Sequence, residues 1–235
     1  MSTEWTTVRN ALVLRDKELP HRWYDAFGNN VVKYSFDGSN VISTTTAAGF
    51  APTLSNGTFV STDSTSGGLV QFALGGQDNA KVQIQSFSEL FKFEKAWPAY
   101  FGCKFKLTDV DDNDVHLGML IRDTDFSDGV TDGVYFRVAD TSAVLTFVLE
   151  KDSGETTYEV ATLADAGTYT AEFYYDGNGY VHAYYNGVLV TSIATTNANW
   201  PNDEDLAFSL GVQAGSASAT HGYIYWSRAI QVQEP

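Results

Sequence analysis

Residues Tyr169 to Ser192 read YTAEFYYDGNGYVHAYYNGVLVTS, and their alternation and turns describe three antiparallel strands. Tyr169, Ala171 and Phe173 point one way, with Thr170, Glu172 and Tyr174 opposite. Asp176-Gly177-Asn178-Gly179 supplies residues that tolerate φ > 0 at the first hairpin. Asn186-Gly187 is the preferred pair for a two-residue type I′ turn at the second. Val181, Ala183 and Tyr185 are then expected on one face, and His182 and Tyr184 on the other. The segment is a meander.

The rest of the chain agrees with an all-β body. Aromatics make up 14% and charged residues only 18%, and 20 glycines are available for turns. A chain of 235 residues is long enough for one large sandwich, burying roughly 70% of the surface its unfolded chain exposes. Alternating runs are expected at Thr58–Thr62, Leu69–Leu74, Lys81–Phe87, Leu90–Lys95 and Tyr100–Leu107. Others follow at Val115–Arg122, Gly133–Ala139, Ala143–Lys151, Thr156–Thr162, Leu206–Gln213 and Gly222–Val232. In Gly133–Ala139, Val134, Phe136 and Val138 share a face, as Leu145, Phe147 and Leu149 do in the next run. Two packed antiparallel sheets need this half-buried alternation, and strands in this number fit a jelly roll. Residues 1–55 differ in texture and read as an irregular arm with one or two strands, an anchor for a domain over 56–235. No repeat of propeller or solenoid period is present.

The net charge of −15 and pI near 4.4 argue against a nucleic-acid partner, which needs a basic patch. Residues 1–35 hold five cations against four acids, leaving −16 on the remainder. A near-neutral anchor under an acidic head fits that asymmetry. No run reaches the roughly 18 apolar residues of a membrane span, and MSTEWTTVRN lacks an apolar leader core, so synthesis and folding in a reducing cytosol are expected. The single Cys103 lies between Phe101 and Phe105 and reads as a core residue.

Chemical motifs are sparse. A laminarinase-type enzyme places its carboxylates on one strand as Glu-x-Asp-x-Glu or Glu-x-Asp-x-x-Glu, because alternate residues share a face and a retaining pair lies about 5 Å apart. The ten glutamates show no such spacing, and Glu89 and Glu94 fall on opposite faces of a regular strand. Asp109, Asp111, Asp112 and Asp114 cluster without the Gly and downstream Glu of an EF-hand loop. Asp123, Asp125, Asp128 and Asp132 form a second acidic loop. Both read as solvated turns. His21, His116, His182 and His221 lack zinc-ligand spacing, and neither a Gly-x-Ser-x-Gly elbow nor a phosphate loop occurs. The expectation is therefore no catalytic, cofactor-binding or metal residue and no cofactor. Tyr135, Tyr174, Tyr184, Tyr225, Trp97 and Trp226 sit on polar strand faces, where aromatics serve packing, subunit contact or sugar stacking.

The strand-DG-strand-NG-strand segment resembles that of concanavalin-A-like lectins, laminin-G-like modules and laminarinase-type sandwiches. GYIYWSRAIQV at 222–232 is similar to their closing strand. The succession TDGVYFRV, VLTFVLEKDSGETTYEVATL, the meander, WPNDEDLAFSLGVQAG and YIYWSRAIQV resembles a group of bacteriophage virion proteins with this fold, over roughly residues 68 to 233. GMLIRDTDFSDGVTDGVYF matches a strand-loop-strand typical of that group. The resemblance implies a concanavalin-A-like jelly-roll sandwich of two antiparallel sheets in a non-enzymatic virion structural protein. Its role there would be a capsid decoration or cement protein on the capsid surface, made in the host cytoplasm. Its partner would be the major capsid protein, with a homo-oligomer on the particle and no nucleic acid or membrane contact. A glycan-binding module of a tail or head fibre remains the alternative. Residues 1 to about 40, with Trp5, Trp23 and Tyr24 on their surface, are expected to form much of the particle contact.

Overall fold

A computed structural model describes residues 2–61 and 69–234, and everything below concerns those residues. The strands, in chain order, are β1 (Thr3–Val8), β2 (Ala11–Asp16), β3 (Trp23–Phe27), β4 (Val31–Phe36), β5 (Val41–Ser43), β6 (Thr46–Ala47), β7 (Phe50–Ser55), β8 (Gly57–Ser61), β9 (Val70–Leu74) and β10 (Lys81–Ser86). They continue as β11 (Ala99–Leu107), β12 (Asn113–Leu120), β13 (Gly133–Val138), β14 (Val144–Lys151), β15 (Gly154–Thr162), β16 (Thr168–Tyr175), β17 (Tyr180–Tyr185), β18 (Val188–Ala194), β19 (Ala207–Ala214) and β20 (His221–Val232). One 3₁₀ turn, Gly38–Asn40, is capped by the Asp37 side chain. The run expected at Thr58–Thr62 ends at Ser61, and its last residue lies outside the described residues.

Two antiparallel sheets face each other. One has seven strands in the order β15-β14-β13-β12-β19-β10-β7, and the other runs β18-β17-β16-β11-β20-β9-β8 with β4 also pairing β20. Period-two alternation drives inward-facing Phe101, Phe136, Phe147, Phe173 and Phe208 into one core, all at 0% exposure. Each such ring contributes about 1.5–3 kcal/mol relative to leaving it in water. Phe101 stacks on Phe173 at 5.4 Å across neighbouring strands.

The meander is β16-β17-β18, and its second turn has φ of 49° at Asn186 and 81° at Gly187, the mirror-image turn expected. Val181 and Ala183 are buried while His182 and Tyr184 stay half-buried on the other face. The run expected at Leu90–Lys95 is not a strand. Phe91 and Phe93 do enter the core, but Phe91 makes only an isolated bridge to Leu206. The Gln231 side chain takes the Lys92 amide and carbonyl at 3.1 and 2.6 Å, replacing a ladder.

Residues 1–55, read as an arm, contribute β1 to β7. The hairpin β1-β2 turns at Arg9-Asn10, with φ of 48° and 68° and no glycine to advertise it. Ala11, Val13, Trp23 and Ala26 of the β1-β2-β3 sheet pack on Tyr100, Ile230 and Val232, covering part of the outer face of the larger sheet. Trp23 is therefore buried, at 2% exposure, whereas a surface position was expected. β4 and β7 extend the two main sheets, by pairing β20 and β10.

Candidate ligand-binding cleft

The turn joining β16 to β17 builds one wall of an open cleft. Asp176 Oδ1 accepts from the amides of Asn178, Gly179 and Tyr180 at 2.7, 3.0 and 3.0 Å, which fixes the loop. The Ala96 amide donates to the Gly177 carbonyl at 2.6 Å and ties the 94–97 segment to it. Trp200 packs on Phe93 and Tyr175 at 4.8 and 5.1 Å, forming an apolar floor. Around that floor stand Asn178, Asn202, Thr195, Thr196, Glu94 and Lys95, with the Tyr180 ring 50% exposed. The cleft measures about 570 Å³. An apolar base with a few convergent amides, hydroxyls and a carboxylate is the usual composition of a small-molecule site. Aromatic rings can accept the C–H face of a sugar while the amides bond its hydroxyls.

The outer face of the seven-stranded sheet is polar and partly roofed by the loop between β12 and β13. Phe126 lies over Gly211, where a Cβ would meet its ring at 2.6 Å. The second acidic loop, read as a solvated turn, is instead tied to neighbouring elements, with Asp132 only 5% exposed. Asp123 accepts from the Asp125 amide at 3.1 Å, Asp125 pairs with Lys81, and Asp132 accepts from the Asp152 amide at 3.1 Å. Burial, helped by the Arg137 charge, brings the pKa of His116 down to about 3, so it is a neutral imidazole at pH 7.

Same-strand spacing could not reveal one pair on this face. Glu150 of β14 and Glu155 of β15 are direct cross-strand partners. Glu150 is 6% exposed and its carboxyl is raised by burial and by the Glu155 charge, against the hydroxyl of Tyr135, which donates to it at 2.6 Å. Glu155 is gripped by both terminal nitrogens of Arg137, at 2.8 and 3.1 Å. A cavity of about 270 Å³ borders His116, Tyr135, Arg137 and Glu150.

The first acidic turn also reaches further than its sequence suggests. Asp109 and Asp111 meet Asp165, with carboxylate oxygens within 4.8 Å of one another, the only grouping of this kind among the described residues. Burial, the Asp111 hydrogen bond and the Asp165 charge raise the Asp109 carboxyl. Calcium takes about six to eight oxygens; of these three carboxylates Asp165 already accepts from the Val110 amide at 2.9 Å, and the neighbouring Asp112 and Asp114, outside the grouping, accept from Ser216 at 2.9 Å and the Asp140 amide at 2.8 Å.

The remaining expected residues scatter. His21 stacks on Tyr184 at 3.5 Å, His182 bonds Ser192 at 2.8 Å, and Tyr174 lies 5.5 Å from Trp23. Tyr135 is buried, so it offers no stacking surface. Tyr225 and Trp226 remain half-exposed on β20, and Trp97 is half-buried. Cys103 is buried in the core and burial pushes its thiol well up. His221 is half-buried and contacts Tyr223 edge-on at 6.5 Å.

Neither a protein-family model nor a curated protein sequence matches this chain. Solved structures do. A protein of unknown function from Shewanella oneidensis MR-1 is 16% identical with 87% of each chain covered and a TM-score of 0.58. A mixed-linkage-glucan glycoside hydrolase of family 16 from Bacteroides ovatus, solved with a product, is 10% identical, covering 83% of this chain and 98% of that one, with a TM-score of 0.58. Peanut lectin is 13% identical over 86% and 97%, with a TM-score of 0.56. The fold is the concanavalin-A-like jelly roll. At these identities the similarity establishes architecture, and lectins and glycosidases share it.

Proposed function

We propose that this chain is a non-enzymatic carbohydrate-binding module that takes a sugar in the cleft beside Tyr180. The observation that carries the reading is the half-exposed Tyr180 ring at the rim of an apolar floor flanked by amides, hydroxyls and Glu94. The lectin-like architecture supports it. Hydrolysis of a glycoside uses two carboxylates flanking the bond, and Glu94 is the single carboxylate lining this cleft. The Glu150–Glu155 pair lies elsewhere, with Glu155 held by Arg137 and Glu150 by Tyr135.

A glycan array followed by calorimetry on its best ligand tests this reading. Tyr180→Ala should weaken binding at least about tenfold, or about 1.4 kcal/mol, with no change in melting temperature. An empty array, or equal affinity of the variant, overturns it. Reducing-end release from β-glucans that disappears in Glu150→Gln would make the chain an enzyme.

A second reading, the capsid decoration protein, rests on a different observation. Trp5, Leu12 and Phe27 are 49%, 45% and 52% exposed on β1-β2-β3, with Trp5 and Phe27 5.6 Å apart. An exposed aromatic and aliphatic patch on a near-neutral segment suits docking on a protein lattice. β18, an uncharged outer strand with Val188 and Leu189 exposed, suits the self-association such a protein would use. Copy number against the major capsid protein, measured on purified particles, tests it. Hundreds of copies would support decoration, and none would end it.

A further inference from the structure

We infer a second ligand site, for an anionic polysaccharide, on the outer face of the sheet containing β11 and β20, beside the part that β1-β2-β3 covers. Lys104 and Lys106, two apart on β11, share that face. Lys104 Nζ lies 5.1 Å from the Tyr225 ring centre and Lys106 Nζ 5.5 Å from that of Tyr223. The Arg228 guanidinium lies 4.7 Å from Trp226 and 5.3 Å from Tyr24. A register shift between Lys104 and Phe105 lets the consecutive Tyr225 and Trp226 each meet a cation.

What sets these cations apart is their common location. Acids outnumber bases 29 to 14, and while Lys33, Lys81, Lys92, Arg137 and Lys151 each pair with a carboxylate, Lys104, Lys106 and Arg228 make no such pair among the described residues and stand together on one strip of ring-bearing strand. Around the two lysines the neighbouring positions are neutral: Thr170 and Thr168 stand opposite Lys104 and Lys106, and Gln71 opposite Tyr223. The carboxylates near the Arg228 end are already engaged, Glu172 by Arg22 and Asp25 by Lys33. From Tyr223 to Arg228 the strip runs about 17 Å at the rise of a strand. Three cations without carboxylate partners, set on aromatic faces and bordered by hydroxyls and an amide, match a polymer that alternates negative charge, apolar C–H faces and hydroxyls. Carboxylated or sulfated sugars have that chemistry. A nucleic acid would also find cations and rings, but the charge of −15 opposes a ligand carrying a phosphate at every unit.

The inference shares the carbohydrate reading above but not its cleft, and the experiment separates the two. Binding of polygalacturonate (carboxylated), dextran sulfate (sulfated), dextran (neutral) and poly(dT) is measured at low salt and again near physiological salt. At least one charged polysaccharide should bind, weaken with salt, and lose about tenfold affinity, about 1.4 kcal/mol, in Lys104→Gln/Lys106→Gln. Tyr180→Ala should leave that binding unchanged. The charge-preserving Lys104→Arg/Lys106→Arg pair should retain it, which guards against a folding artefact. Failure of both polyanions to bind, undiminished binding by the Gln pair, or tighter binding of poly(dT) than of either sugar polymer would each overturn the inference.

Discussion

Arg22 holds Glu172 across 150 residues of sequence: its Nε donates to Oε1 at 2.6 Å, and a terminal nitrogen donates to Oε2. The Tyr100 hydroxyl adds a third donor at 2.8 Å, and Glu172 is 0% exposed. The ion pair thus latches the N-terminal sheet to β16 of the sandwich. Removing one partner leaves an uncompensated buried charge, so Arg22→Ala should cost about 3–5 kcal/mol in urea unfolding. Converting both residues to apolar ones of similar volume should cost much less. A single-variant loss below about 1 kcal/mol would mean that the latch is not what the geometry indicates.

The same pair sets an acid limit. Burial opposes ionisation of Glu172, but the Arg22 hydrogen bonds and charge and the Tyr100 hydroxyl outweigh it, so its pKa falls from an ordinary 4.5 to about 2. The folded value lies below the unfolded one. Its stabilisation is therefore fully present above pH 4.5 and is lost as pH falls towards 2, a change on the order of 3 kcal/mol. Hydrogen exchange should show β1-β2-β3 opening first in that window. Glu172→Gln should lower stability at pH 7 and flatten the pH dependence. An unchanged slope would show that other carboxylates control acid unfolding.

Legibility followed distance along the chain. The meander was readable because Asn186-Gly187 and alternation are local signals, and they set the pairing next to the turn; a bulge at Val190 then shifts the β17–β18 register between Ala183 and Tyr184, which no turn residue signals. Arg9-Asn10 makes an equivalent turn from residues that rarely announce one, so the first 55 residues looked irregular. Leu90–Lys95 alternates as a strand would, but Gln231 claims its backbone. Glu150 with Glu155, Asp109 with Asp165, and Arg22 with Glu172 are joined by pairing or packing, which same-strand spacing cannot show. The Tyr180 cleft is likewise assembled from three separate loops, and nothing in any one of them marks it.

The exposed patch on β1-β2-β3 can be tested without removing the segment. Deleting residues 1 to about 40 would strip β4 from β20 and Trp23 from its seat on Ile230 and Val232, so loss of decoration would be indistinguishable from unfolding. Substituting Trp5, Leu12 and Phe27 together by Ser touches side chains that are already about half in solvent, and should change stability by no more than about 1 kcal/mol. If the patch docks on a particle, the triple variant loses occupancy on particles lacking the native protein. Normal occupancy would move the contact elsewhere.

Gly187 joins the turn chemistry to the N-terminal segment. Its φ of 81° disfavours any β-branched residue, and a Cβ there would sit 3.1 Å from Cδ1 of Leu19, in the β2–β3 connection. Gly187→Val therefore strains the backbone and presses on the segment that carries Arg22, costing on the order of 1–3 kcal/mol. Each kcal/mol lowers the melting temperature by about 2–4 °C in a domain of this size. Gly187→Asn keeps tolerance of positive φ but still adds the Cβ, so it isolates the contact with Leu19 from the backbone strain. Val falling well below Asn in melting temperature would assign the loss to the turn. Equal losses would assign it to Leu19, and no loss in either would mean that this turn does not hold the register of β17 and β18.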